Sequence, residues 1–229
     1  PDSILPSTPE LMRNFNKIWS VRDEIIAAHL EDLKADGKAD VKRKEIYAWP
    51  GRGNPHFRTF NGFDLVSPEV EMAPFSDQDG DGIYNPDRGD YPHPEQVHSG
   101  LMVAGIYYTV FHHDEPDFRV EVHQTAWTFD CAEKHYLNNS LFTAYRIRNA
   151  GAKIWKATNV ALFWNPELGC NWDDCVGSIP ELNASYVYNC DPDDGAPGQK
   201  HWDCGLNFPI KGVPPVQSVV LLNRKMDVL

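Results

Sequence analysis

The chain has 229 residues, 41% of them hydrophobic, and a formal net charge of −12. That is enough apolar residue for one large domain, or a domain with an extension, and it excludes wholesale disorder. The acidic balance repels phosphate backbones and excludes nucleic acid as a partner, while no apolar run approaches the roughly 18 residues of a membrane span.

Residues 1–6 read as a loose end. Ser7 and Glu10 have capping-box spacing around Thr8-Pro9, and Leu11, Phe15 and Ile18 follow at helical intervals. A second helix start is read at Ser20-Val21-Arg22-Asp23. Behind it Ile25, Ile26, His29, Leu30 and Leu33 form an apolar stripe that stops at Gly37. His29 lies on that stripe and reads as a packing histidine. Asp40 caps a third short helix through Ile46 and Tyr47. These elements make residues 1–55 an N-terminal helical extension, and residues 56–229 a β-rich domain.

Within the second part, residues 56–66 read as strand-like pieces around a tight Asn61-Gly62. A loop rich in Pro, Gly and Asp follows. Its centre is Asp77-Gln78-Asp79-Gly80-Asp81-Gly82-Ile83-Tyr84-Asn85-Pro86-Asp87-Arg88-Gly89-Asp90. Aspartates at alternate positions, followed at once by glycine, wrap side-chain oxygens around a hard cation, usually calcium. Asp77, Asp79 and Asp81 occupy positions one, three and five. Ile83 offers its carbonyl at seven, and Asn85 sits at nine. Position twelve, a glutamate in an EF-hand, is Arg88, which excludes the standard loop. The closing ligand then comes from Asp87, Asp90 or outside the loop. Asp90 is favoured, because Gly89 lets the chain turn back. The expected calcium ligands are therefore Asp77, Asp79, Asp81, Ile83, Asn85 and Asp90.

Beyond the loop, residues 101–112 are β-prone. Residues 118–129 alternate, with Arg119, Glu121, His123 and Thr125 on one face. Residues 141–149 alternate as well, setting Leu141, Thr143, Tyr145 and Ile147 against Phe142, Ala144, Arg146 and Arg148. Further strands are expected at 156–164, 182–188 and 216–222. With no crossover helices between them, the expected fold is mainly β. It is an antiparallel β-sandwich with a short N-terminal helical layer and long metal-braced loops.

A second acidic cluster, Asn165, Glu167, Asp173 and Asp174, is a weaker candidate cation site. A third group, Asn189, Asp191, Asp193 and Asp194 before Gly195, has poorer spacing. A glycosidase pair would draw on Glu121, Glu167, Asp173 or Asp174 near Trp127, Trp164 and Trp172, but nothing sets two of these acids at working separation. The adjacent His112 and His113 point to opposite faces of a strand, so only one can join a given site. No nucleophilic serine motif and no phosphate-cradling glycine loop is present, and catalysis is not expected. Of the five cysteines, Cys170–Cys175 and Cys190–Cys204 are the expected disulfides, with Cys131 free; spacing alone does not fix connectivity.

The ordered set of motifs resembles a family of large secreted proteins of the Bacteroidota, exported by the type IX secretion system with a C-terminal sorting domain. The resemblance runs from the Trp19 and Glu24-Ile25-Ile26…His29 segments through Trp49-Pro50-Gly51-Arg52-Gly53-Asn54. It continues with Ala73-Pro74-Phe75-Ser76-Asp77 to Gly89-Asp90-Tyr91-Pro92, then Val120-Glu121-Val122-His123 and Leu137-Asn138-Asn139. It closes with Tyr145-Arg146-Ile147-Arg148-Asn149, Gly169…Asp173-Asp174-Cys175-Val176-Gly177, Tyr188-Asn189 and Pro214-Pro215. What it implies is a secreted or cell-surface location and calcium-stabilised β domains, with no known reaction. The family's acidic residues before Leu168-Gly169 are here Asn165 and Glu167, and the sorting domain is absent from these residues, so the chain is expected to be part of a longer polypeptide. The expected function is a calcium-binding, extracytoplasmic structural or adhesive module. Its partners would be other surface proteins or extracellular polysaccharide. The alternatives are a carbohydrate-binding or carbohydrate-degrading module, and a subunit of a surface filament or sheath.

Overall fold

The structure is a computed structural model that describes residues 13–65, 70–98, 101, 103–115, 118–171, 173–195, 210 and 212–223. The helix start at Ser7–Glu10, Trp172 and Cys204 lie outside the described residues. The chain forms two compact units, Pro1–Ala157 and Thr158–Leu229. The division therefore does not fall between residues 55 and 56. The N-terminal segment supplies a strand and much of the core of the first unit.

The first unit is built on a four-stranded antiparallel sheet. β1 (Trp19–Arg22) pairs with β4 (Gly105–Glu115), β4 with β5 (Phe118–Thr128), and β5 with β6 (Phe142–Asn149). The helix start read at Ser20 is corrected here. Trp19 and Val21 both point inward and are buried, a period of two rather than 3.6, so residues 19–22 extend as a strand. Helix α1 begins only at Asp23. It carries Asp23 and Glu24 in its first turn, where the helix dipole favours carboxylates, and ends at Gly37 in the left-handed conformation. Short helices α2 (Lys44–Tyr47) and α3 (Phe57–Asn61) follow. The strand-like reading of 56–66 is a second correction: Asn61-Gly62 is not a hairpin turn but a helix end, with Gly62 at φ 84°.

The core of this unit lies between the sheet and a layer made of α1, α2, α3 and the segment around residues 70–92. Trp19, Val21, Ile106, Tyr108 and Trp127 from the sheet meet Ile26, Ile46, Tyr47, Trp49, Phe57, Met72, Tyr84 and Tyr91 from that layer. Within the unit, the described residues facing the sheet are thus helices and loop rather than a second large sheet. The inward face of β5 is Glu121, His123, Thr125 and Trp127, all buried. The outward face of the same sheet carries Tyr107, Phe111, Tyr145 and Ile147, each 40% or more exposed.

The second unit is a three-stranded antiparallel sheet of order β7-β8-β9, formed by β7 (Asp174–Ile179), β8 (Ala184–Asn189) and β9 (Gln217–Val220). Residues 158–168 carry no regular structure, so the strand expected at 156–164 is absent, while β7 falls where the sequence read an acidic loop. Cys175 pairs with Cys190, not with Cys170, and Cys190 therefore does not pair with Cys204. The β7–β8 hairpin sets Cys175 opposite Tyr188, which brings Cys190, just past the strand end, to a Cα–Cα separation of 5.3 Å. Cys170 is also disulfide-bonded, and Cys131 is free. No helix among the described residues is long and apolar enough to cross a membrane.

Candidate metal site

Two short strands, β2 (Phe75–Ser76) and β3 (Tyr91–Pro92), pair antiparallel and close the base of the 77–90 loop. Pairing Ser76 with Tyr91 makes neighbours of Asp77 and Asp90, the first and last acids of the loop. Inside it the aspartates hold the backbone. Asp77 accepts the N–H of Gly80 at 2.7 Å and of Gly82 at 2.8 Å, and Asp81 accepts that of Ile83 at 2.7 Å. Gly80 and Gly82 have φ near +75°, a conformation that favours glycine. Asp90 is fully buried, and its two oxygens accept from Gln78 N–H at 2.7 Å and Asn85 N–H at 2.8 Å.

Carboxylate oxygens of Asp77, Asp79 and Asp90 lie within 4.8 Å of one another. Burial pushes the Asp90 carboxyl above its ordinary range, and the charges of Asp77 and Asp79 add to the shift. Asp79 moves the other way, chiefly through its hydrogen bond from Arg88. The Arg88 guanidinium reaches Asp79 at 2.9 Å and Asp81 at 3.0 Å. The other expected ligands have hydrogen-bond partners of their own within the loop. Asp81 faces Arg88, Ile83 gives its N–H to Asp81, and Asn85 accepts from Asp87 N–H at 3.1 Å, capping the 3₁₀ turn Pro86–Arg88. Asp87 turns away from the group. It accepts from the Tyr47 hydroxyl at 2.5 Å, and its other oxygen lies 2.7 Å from His56 Nε2.

The loop is anchored to the core by contacts far apart in sequence. The buried Tyr84 hydroxyl donates to Ile46 O at 2.8 Å, and the Trp49 indole N–H to Pro74 O at 3.0 Å. His29 packs inside as expected, its Nε2 3.0 Å from Pro86 O. A donor set of oxygens alone, three of them carboxylate, suits a hard cation such as Ca²⁺ rather than a thiophilic metal. Asp77, Asp79 and Asp90 would hold it, and it would neutralise three carboxylates crowded at the loop base.

In the second unit, Asp174 accepts from Leu168 N–H at 2.9 Å and Asp173 from Gly195 N–H at 2.8 Å. Their remaining oxygens, Asp173 Oδ1 and Asp174 Oδ1, are buried and accept no hydrogen bond, and the same holds for Asn189 Oδ1. Burial raises the Asp174 carboxyl, helped by the charges of Asp173, Asp194 and Glu167. Asn165 and Glu167 are exposed.

Sequence reasoning did not see that the polar face of β5 is the inner one. Glu121 is fully buried, 3.4 Å from Arg148, and His123 Nδ1 lies 2.5 Å from the Tyr108 hydroxyl. Burial lowers the His123 pKa to about 4, so the ring is neutral at pH 7. A cavity of about 210 Å³ adjoins this row, lined by His123, Thr125, Arg146 and Glu95 among others. Arg146 is already paired with Glu95 and bonded to Glu71 O. The alternation of polar residues was the available signal, but alternation alone does not say which face is buried. Compared with known proteins, the chain matches no family model, no curated protein and no solved structure.

Proposed function

We propose that the chain is a calcium-braced, extracytoplasmic structural or adhesive module of a secreted or cell-surface protein. The observation that carries this reading is the convergence of Asp77, Asp79 and Asp90, with Asp90 fully buried. Three carboxylates at that spacing repel one another, and burial deepens the cost of keeping them charged. A divalent cation reverses the sign of that interaction, so its binding free energy becomes folding free energy. The loop it would stiffen carries Tyr84, Pro86 and Asp87, the residues that hold α1 and α2 against it. Calcium would thus act through the packing of α1 and α2 on the loop.

The disulfides are consistent with an oxidising compartment. Every strand pair among the described residues is antiparallel, which fits a β-rich structural scaffold. Burial of Trp19, Trp49 and Trp127 in the core, and stacking of Trp155 on Phe118 at 5.4 Å, favour a structural role for these indoles over sugar stacking. In this reading the partners are other surface proteins or extracellular polysaccharide. The test is a thermal melt of the full chain in Ca²⁺ and in EDTA, for wild type and Asp79→Ala. EDTA lowers the wild-type midpoint, and the substitution removes most of that sensitivity. Identical wild-type melts in the two conditions reject the reading.

A further inference from the structure

Two parts of the chain each lack what the other offers. β6 is the last strand of its sheet, with β5 its one neighbour among the described residues. Its register against β5 runs from Phe142 to Asn149 without a bulge, and it contains neither Pro nor Gly. Its two charged side chains, Arg146 and Arg148, share the face of His123 and Glu121, and pair with Glu95 and Glu121. The edge therefore has none of the devices that keep another strand away, and it presents a row of backbone N–H and C=O groups. Residues 158–164 are the converse. They alternate and are rich in strand-forming types, Thr158, Val160, Phe163 and Trp164. Yet they carry no regular structure, and no backbone hydrogen bond among the described residues reaches them. Val160 is 74% exposed, Leu162 55% and Phe163 90%.

We propose that two copies of the chain form a two-fold symmetric dimer by reciprocal strand addition, residues 158–164 of each copy pairing antiparallel with the free edge of β6 of the other. The lengths match: a seven-residue strand spans about 24 Å, and β6 has eight residues. The side chains match as well. Ala144 and Arg146 of β6 line the cavity of about 210 Å³ beside His123 and Thr125, so an inward side chain of the added strand, Val160 or Leu162, falls over it. Asn159, Ala161 and Phe163 then continue the uncharged outer face formed by Thr143, Tyr145 and Ile147. Charge selects this contact for self-association. A chain of net charge −12 repels its copy, and an interface between copies must avoid the acidic surface. Residues 157–164 carry no charge, and the two arginines of β6 are already paired. Each copy brings one edge and one strand, so the two-fold arrangement closes instead of growing into a fibre. The dimer does not rest on calcium at the 77–90 loop.

The experiment is analytical ultracentrifugation of the full chain over about 1–100 μM, the range in which micromolar association shows, well below the melting midpoint. Wild type is expected to pass from one chain to two as concentration rises, and to stop at two. Leu162→Pro removes a ladder donor from a segment that is exposed and irregular in the single chain, so both units keep their fold and the dimer is lost over the same range. Ile147→Lys, on the exposed side of the edge strand, is expected to abolish it from the other half of the contact. Hydrogen exchange on wild type locates the pairing: amides in 142–149 and in 158–164 gain protection together as the dimer forms. A wild-type chain that stays single throughout, or a dimer that persists undiminished in Leu162→Pro, overturns the proposal. Protection of 158–164 in the single chain overturns it too, because the strand then has its partner without a second copy. Failure of the calcium reading appears in the EDTA melts and leaves these masses unchanged.

Discussion

Arg88 Nη1 lies 2.9 Å from Asp79 Oδ2, and the same nitrogen lies 3.0 Å from Asp81 Oδ2. The residue that breaks the EF-hand pattern thus puts a positive charge on two of the loop's own aspartates. A guanidinium and a calcium ion compete for Asp79, because the arginine already compensates the charge of the carboxylate that the ion would use. Arg88→Ala is therefore expected to tighten calcium binding severalfold while lowering the melting midpoint of the metal-free protein. Calorimetry, with melts in EDTA, checks both. A weaker calcium affinity in the variant would mean that Arg88 orders the loop for the ion rather than competing with it.

Asp90 makes that competition depend on pH. Its carboxyl is raised by burial, with Asp77 and Asp79 adding repulsion. In the window between the ordinary carboxylate value and the raised one, the folded chain holds a proton that the unfolded chain has released. Metal-free stability from this group therefore falls as pH rises through the window and is lost above it. Calcium must displace the same proton, so its affinity rises over that interval and levels off above it. Titrations from pH 7 to pH 4 are expected to show Kd weakening about tenfold per unit once pH is below the Asp90 value. A flat profile would remove Asp90 from the ligand set.

What the sequence revealed depended on how local the determining contacts are. The 77–90 loop was legible because Asp77, Asp79, Gly82 and Asp90 lie within fourteen residues, and the choice of Asp90 over Asp87 needed only the turn at Gly89. β4 was legible from its β-prone residues and β5 and β6 from alternation, but not which face is inside. That depends on a buried Glu121 meeting Arg148, and on His123 meeting Tyr108, pairings between strands. Trp19 and Val21 read as helix edge until β4 lies beside them. Asn61-Gly62 ends a helix because Asn61 Nδ2 donates to Ala48 O and Phe57 O, partners no dipeptide rule contains. The disulfide follows from the β7–β8 register, which cysteine spacing does not encode.

The contact between Gly51 and Tyr84 sets a steric requirement. A Cβ at Gly51 would lie 2.5 Å from Tyr84 Cγ and 2.6 Å from its Cβ. The residue has little room to retreat, since its hydroxyl is bonded to Ile46 O and its backbone N–H to Arg52 O at 2.7 Å. Gly51→Ala is expected to cost about 1–3 kcal/mol by overpacking and to weaken calcium binding, because Tyr84 sits within the loop. Chemical denaturation reads the first effect and calorimetry the second. A loss of stability with calcium affinity unchanged would show that the loop holds its shape without its anchor.

The Cys175–Cys190 bond makes a prediction confined to the second unit. It closes a segment of 15 residues in sequence separation that spans the β7–β8 hairpin. Constraint of the unfolded chain over that length stabilises by about 3 kcal/mol. The hairpin has little else to hold it, with Val176 81% exposed and Val187 its one buried hydrophobic besides Ala184. Replacing both cysteines by serine is expected to speed amide exchange across β7 and β8 by about two orders of magnitude, the equivalent of that free energy where exchange follows opening of the hairpin. Protection of β4 and β5, whose eleven-residue strands pair along their whole length, is expected to stay unchanged. Equal loss of protection in both sheets would show that the two units unfold as one.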